Sequence, residues 1–118
     1  MVVKQRKIKK PWGHEIIWSH CDKFVGKILC INYQHKLSRQ YHKVKEETIM
    51  VLTGTLMLEI GEGQDIKRIE LKRGESFHVT PGLVHRFTAE FGDVELVEVS
   101  TPELDDVVRL EDDYDRSE

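Results

Sequence analysis

Alternating apolar and polar positions, rather than a helical period, dominate the chain. The stretch KFVGKILCINY alternates, and one face of the strand that it predicts carries Val25, Lys27, Leu29 and Ile31. Similar runs recur about every 8–12 residues, and each ends at a glycine, a proline or an acidic turn. No long stretch has apolar residues at a spacing of about 3.6, which a surface helix would need. The pattern therefore predicts an all-β sandwich or barrel.

Two segments give more specific expectations. TIMVLTG and TLMLEIGEG flank Gly54, and this arrangement predicts a β-hairpin. The final stretch PELDDVVRLEDDYDRSE is acidic around a short apolar kernel, which predicts a helical turn followed by an arm whose end frays. The N-terminal stretch VVKQRKIKK alternates like a strand, and we expect it to act as an arm.

Composition is typical of a small globular protein. The 118 residues are 39% hydrophobic and 33% charged, with a formal net charge of −3. This length predicts a single domain over residues 1–118, with an N-terminal arm (1–9) and an acidic C-terminal tail (103–118). Because lysines and arginines are scattered among acids, nucleic acid is not an expected partner.

The cysteines and the N-terminus leave the cytoplasm as the default compartment. Cys21 and Cys30 lack the CxxC spacing of zinc sites, and Cys30 lies in an apolar run where a thiol acts as a small hydrophobe. The basic N-terminal stretch has no apolar region, so no secretory signal is expected. No apolar run approaches the roughly 20 residues of a membrane span. We expect a cytoplasmic protein without a membrane partner.

Candidate ligands lie in QYHKVKEETIMVLTG, residues 40–54. Gln40 and His42 are two apart, so they share one face of a strand, and Glu47 begins the next apolar run after a turn at 43–46. If both faces point inward, an imidazole, a carboxylate and an amide oxygen converge as metal ligands do. The alternative is a solvated turn, because Lys45 and Glu46 are charged neighbours.

A second segment, GESFHVTPGLVHRF, has a histidine directly after a turn. Gly74 and Gly82 predict tight turns, and His85 begins the strand that follows. A rigidly held His85 would suit a ligand contributed by a distant strand, although a lone histidine is more often a core or surface group.

These two segments resemble the paired motifs of the cupin superfamily. The first motif runs Gly-x5-His-x-His-x3or4-Glu-x6-Gly and is matched by His42, Glu47 and Gly54. The second runs Gly-x5-Pro-x-Gly-x2-His-x3-Asn and is matched by Gly74, Gly82 and His85.

Four positions depart from the two motifs: Gln34 for glycine, Gln40 for histidine, Thr80 for proline and Ala89 for asparagine. Glutamine at the first ligand position resembles the phosphomannose isomerases, where a Gln-His-Glu-His set binds the metal. The segments KPWGHE, LSRQYH and DDVVRLEDDYDR also resemble parts of the type II phosphomannose isomerase domain. The resemblance thus covers residues 10–116.

The resemblance implies a fold, a cofactor and an activity. The implied fold is a cupin, a double-stranded β-helix or jelly-roll barrel. The implied cofactor is a divalent ion (zinc, manganese, iron or nickel), and the implied activity is a mannose-6-phosphate isomerase-like aldose–ketose isomerisation or epimerisation of a sugar or sugar phosphate. The ligands would be Gln40, His42, Glu47 and His85.

Two cations are candidates for contact with substrate. Lys27 lies on the interior face of its strand, where the resembling family has a lysine, so it is a candidate catalytic and substrate-binding residue. A salt bridge to a carboxylate such as Glu98 is the structural alternative. Arg109, which lies in the C-terminal tail, would bind a phosphate of the substrate or pair with neighbouring acids.

Two other functions remain open, a non-catalytic carbohydrate-binding or sensing cupin and an iron-dependent oxygenase. Gln40 in place of histidine argues against the oxygenase, which normally uses more histidine ligands. We also expect a homodimer, because a small barrel has exposed sheet edges that a partner's N-terminal arm would cover.

Overall fold

The computed structural model describes residues 1–114, which form eleven β-strands and contain no helix. None of these residues therefore belongs to a helix that would span a membrane. The strands are β1 Arg6–Lys10, β2 Gly13–His20, β3 Val25–Ile31, β4 Arg39–Tyr41, β5 Glu47–Thr53, β6 Leu56–Ile60, β7 Lys67–Leu71, β8 Ser76–Val79, β9 His85–Thr88, β10 Val94–Ser100 and β11 Val108–Glu111.

The strands form two antiparallel sheets, which confirms the all-β prediction. One sheet has the order β1-β2-β3-β10-β5-β8, and the other has the order β11-β4-β9-β6-β7. Strands alternate between inward and outward side chains, so each sheet contributes one apolar face to the core. The core between the sheets includes Leu29, Ile49, Val51, Leu58 and Phe87.

The predicted hairpin around Gly54 is wrong. β5 pairs with β10 and β8, whereas β6 pairs with β7 and β9 in the other sheet. Gly54 has φ +81°, and a Cβ there would lie 2.3 Å from the carbonyl oxygen of Asp93. The glycine thus lets the chain cross tightly between the sheets. Alternation indicates which face is buried, but it does not identify the partner strand.

The predicted helical turn in the C-terminal tail is also wrong, because the segment forms β11. This strand pairs with β4 and covers that edge of the second sheet. Arg39 secures it, since its Nε lies 2.8 Å from Oε1 of Glu111. The tail's predicted frayed end falls on residues 115–118, which lie outside the described residues. At the other terminus, residues 6–9 of the predicted arm belong to β1, which pairs with β2 of the same chain.

Candidate metal centre

Three of the predicted ligands meet at one buried point between the sheets. His42 follows β4, Glu47 begins β5 and His85 begins β9, and one ligand atom from each lies within 4.8 Å of the others. Nε2 of each histidine is 3.8 Å from Oε1 of Glu47. β4 and β9 belong to one sheet and β5 to the other, so the turn after His42 crosses between the sheets.

Backbone carbonyls fix the tautomer of both imidazoles. Nδ1 of His42 lies 2.6 Å from the carbonyl oxygen of Asp106, and Nδ1 of His85 lies 2.9 Å from that of Leu83. A carbonyl oxygen only accepts, so each Nδ1 donates a proton, and in the neutral ring Nε2 then carries the lone pair. Burial lowers the pKa of His85, which also favours the neutral ring.

The inward-facing atoms have the donor set that a cation requires. Within residues 1–114, Nε2 of His42 and Nε2 of His85 are buried and have no hydrogen-bond partner. Buried polar atoms without partners are costly, and two imidazole lone pairs beside one carboxylate oxygen are typical ligands of zinc and similar ions. An imidazole held at Nδ1 by a carbonyl is also typical of metal-binding histidines. The three residues therefore fit a divalent metal.

Lys45 is part of this site. The alternative interpretation of residues 43–46 as a solvated turn is therefore wrong at Lys45. Its side chain is buried, with Nζ 3.1 Å from Oε2 of Glu47 and 3.2 Å from Oε2 of Glu98. Burial alone would lower the pKa of Lys45, but the carboxylates of Glu98 and Glu47 outweigh it and raise the pKa. Lys45 therefore occupies one oxygen of Glu47 and leaves Oε1 facing the histidines.

The two carboxylates beside Lys45 differ in their expected protonation. Burial alone would raise the pKa of Glu47, but its interactions with His42 and the Lys45 ammonium lower it well below the usual range. Burial and the negative charge of Glu47 raise the pKa of Glu98 to about 7. Near neutral pH, Glu47 is thus ionised, whereas Glu98 is close to its pKa and can gain or lose a proton.

The remaining predicted ligand, Gln40, also reaches the site. It lies opposite His85 in the register of β4 and β9, and it lines the same cavity as His42 and Glu47. Its Oε1 accepts a hydrogen bond of 2.7 Å from Oγ of Ser38. Its role as a ligand stays a prediction.

The two predicted substrate-binding cations line this cavity, whose volume is about 90 Å³. Lys27 is buried, and its Nζ lies 3.5 Å from Oε1 of Glu15. The salt bridge proposed as its alternative role is therefore present, but to Glu15, since Glu98 contacts Lys45 instead. Arg109 lies on β11, opposite Gln40 in the register. The substrate roles of both cations stay predictions.

All four glycine positions of the two motifs have left-handed backbone, which explains the glycine in the pattern. Gly82 has φ +83°, and its N–H donates to the carbonyl oxygen of His42 at 2.7 Å. Gln34 stands where the motif has glycine, and it still adopts φ +70°. The departure at Gln34 thus keeps the local conformation.

Sequence reasoning missed Lys45 and Asp106 as parts of the site. The sequence does mark Glu98 as a candidate site residue, because it is a charged residue on the inward face of the apolar strand β10. No local pattern distinguishes Lys45 from its exposed neighbour Lys43. His78, which fits neither motif, points outward and pairs with Glu46 at 2.5 Å.

Sequence comparisons match nearly the whole chain. The family described as Mannose-6-phosphate isomerase C-terminal matches residues 1–112. Xanthan biosynthesis protein XanB of Xanthomonas campestris pv. campestris is 29% identical over 116 residues, which cover 95% of this chain and 24% of XanB. XanB of strain B100 matches with the same identity and coverage. The chain thus spans about a quarter of the length of these curated relatives.

Solved structures share the fold at low sequence identity. CapF, a capsular polysaccharide assembling protein of Staphylococcus aureus, has a TM-score of 0.80 at 13% identity, covering 92% of this chain and 32% of CapF. Oxalate decarboxylase of Bacillus subtilis has a TM-score of 0.77 at 12% identity, covering 90% of this chain and 30% of the decarboxylase. KdgF of Halomonas sp. has a TM-score of 0.71 at 14% identity, covering 85% and 88%. This chain has the cupin fold and belongs to the mannose-6-phosphate isomerase C-terminal family.

Proposed function

We propose that this chain is a metal-dependent isomerase or epimerase that acts on a sugar or sugar phosphate. The observation that carries the proposal is the pair of buried Nε2 atoms beside Glu47. His42 and Glu47 line a cavity that Lys27 and Arg109 also line. The family assignment and the xanthan biosynthesis protein among the relatives support sugar chemistry.

The proposed metal ligands are His42, Glu47 and His85, with Gln40 as the fourth. Zinc, manganese, iron and nickel all accept imidazole and carboxylate ligands, so the donor set does not select one of them. Because each Nδ1 donates to a backbone carbonyl, each neutral ring would offer Nε2 to a cation, and Glu47 would offer an ionised carboxylate.

The residues around the ligands would perform the remaining chemistry. A bound divalent ion would supply Lewis-acid polarisation of a substrate carbonyl. Lys27 and Arg109 would bind an anionic oxygen or phosphate of the substrate. Glu47 is committed as a ligand, so the proton must move through another group. Lys27 is the proposed catalytic residue, and Glu98 is its register partner on the neighbouring strand β10.

Turnover by the metal-loaded chain tests this proposal. Protein loaded separately with each of the four metals would be incubated with aldose and ketose phosphates and with the free sugars, and products would be followed by NMR. We expect interconversion by the wild type, loss of it in Glu47→Gln, and retention in Glu46→Gln, the exposed neighbour. Turnover that survives Glu47→Gln would contradict the proposal. Binding of a sugar without turnover would favour the non-catalytic cupin.

A further inference from the structure

Asp106, in the segment between β10 and β11, closes around the loop that joins two of the proposed ligands. Its carboxylate accepts three consecutive backbone N–H groups, from Lys43 at 3.0 Å, Val44 at 2.7 Å and Lys45 at 2.8 Å. These bonds, the one from Lys45 first, lower the pKa of Asp106 to about 2. The carboxylate therefore remains ionised and keeps all three bonds at neutral pH.

The same residue also orients a ligand ring. The backbone carbonyl of Asp106 accepts the Nδ1 proton of His42 at 2.6 Å, which leaves Nε2 of that ring facing Glu47. Thr101 adds two bonds at the far end of the loop, because its N–H and its Oγ1 each pair with the backbone of Glu46 at 3.0 Å. The segment after β10 thus holds the loop from His42 to Glu46 at both ends.

The loop needs such support because it lies partly in water. Lys43 and Val44 are exposed, yet Lys45 two residues later must turn inward and reach Glu47 and Glu98. Three N–H groups bound to one carboxylate fix the backbone at the point where this change of direction occurs. The bonds therefore determine where the Lys45 side chain enters the site.

We propose that Asp106 is a positioning residue that preforms the metal centre. Its carboxylate directs Lys45 onto Glu47, and its carbonyl sets the ring of His42. The inference rests on the proposed metal site and adds a residue that acts through Lys45 and His42. Removing a partner that orients a metal ligand typically weakens metal binding by about 10–100-fold. A purely structural role would instead lower the melting temperature and leave the affinity of the folded protein unchanged.

Metal titration of full-length variants separates the two roles. Zn²⁺ affinity would be measured against a competing chelator for the wild type, Asp106→Ala, Asp106→Asn and Asp105→Ala, and Co²⁺ absorption would report ligand geometry. Asp106→Ala keeps the backbone carbonyl at His42 but removes the three loop bonds that hold this segment in place, so we expect it to lose about 10–100-fold in affinity with an altered cobalt spectrum. Asp106→Asn should be intermediate, because its amide nitrogen cannot accept from an N–H. Asp105→Ala, an exposed change in the same segment, should match the wild type.

Wild-type affinity and an unchanged cobalt spectrum in folded Asp106→Ala would overturn the proposal. If Asp106→Ala does not fold, imidazole ¹⁵N spectra of metal-free Asp106→Asn test whether Asp106 positions His42. We expect the Nδ1 proton of His42 to exchange faster, while that of His85, bound to Leu83, stays protected; no change at His42 would overturn the proposal. A wild type that binds no metal would overturn the proposed function, and the same spectra would still test how Asp106 positions His42.

Discussion

Replacing Lys45 with methionine would remove the cation from the most buried ionic contact of the site. Lys45 is 5% exposed, and Glu47 and Glu98 are each 3% exposed, so the change leaves two carboxylates in the interior without their shared ammonium. Removing one partner of a buried ion pair typically costs about 3–5 kcal/mol. We expect Lys45→Met to lower the free energy of unfolding of the metal-free protein by that amount.

The loss should depend on pH, because Glu98 can take up a proton. Its pKa is raised to about 7 even beside Lys45, and without the ammonium it rises further. A group with a raised folded-state pKa stabilises the protein below its unfolded value and loses this contribution as the pH rises. The cost of Lys45→Met should therefore be smaller at about pH 5 than at about pH 8.

Urea unfolding measures this effect directly. With a slope of about 1–3 kcal/mol per molar urea, the midpoint should fall by about 1 M or more at the higher pH. Lys43→Met, an exposed change two residues away, should stay within about 0.5 kcal/mol of the wild type. Adding Glu98→Leu to Lys45→Met should recover part of the loss. Equal stability of Lys45→Met and Lys43→Met at the higher pH would refute the reasoning.

Three further predictions concern substrate, pH and assembly. Arg109→Ala should raise KM for a phosphorylated sugar about tenfold or more and spare the free sugar, since a charge-assisted bond contributes about 1.5–3 kcal/mol; equal losses in steady-state assays would limit Arg109 to holding the tail. The pKa of Glu98 is raised from 4.5 to about 7, so the free energy of unfolding should fall more in the wild type than in Glu98→Gln as the pH rises through this range. The same pH dependence in both proteins would contradict the assigned burial cost. Light scattering should detect a homodimer, because β1 is the outer strand of its sheet; a monomer at high concentration would refute it.

The features that the sequence predicts correctly depend on local spacing. Alternation along β3 predicts the buried face that carries Lys27, and the two motifs predict that His42, Glu47 and His85 lie close together. Both predictions are local. Side chains two residues apart share a strand face, and a tight turn fixes the position of the side chain that follows it.

The features that the sequence does not predict depend on contacts between distant positions. Asp106 is 64 residues from His42 and 61 from Lys45, and no periodic pattern relates them. Lys45 is polar and lies in a turn, so its burial depends on Glu98, which a different strand contributes. The failed hairpin at Gly54 has the same origin, since the partners of β5 come from β8 and β10.

Metal content per chain tests the central claim that His42, Glu47 and His85 form a metal centre. Elemental analysis would follow incubation of metal-free protein with zinc, manganese, iron or nickel and removal of the excess. His85→Ala would be compared with His78→Ala, which changes an exposed histidine outside the site. We expect about one ion per chain in the wild type and His78→Ala, and little in His85→Ala. Equal metal content in all three proteins, or none in any of them, would contradict it.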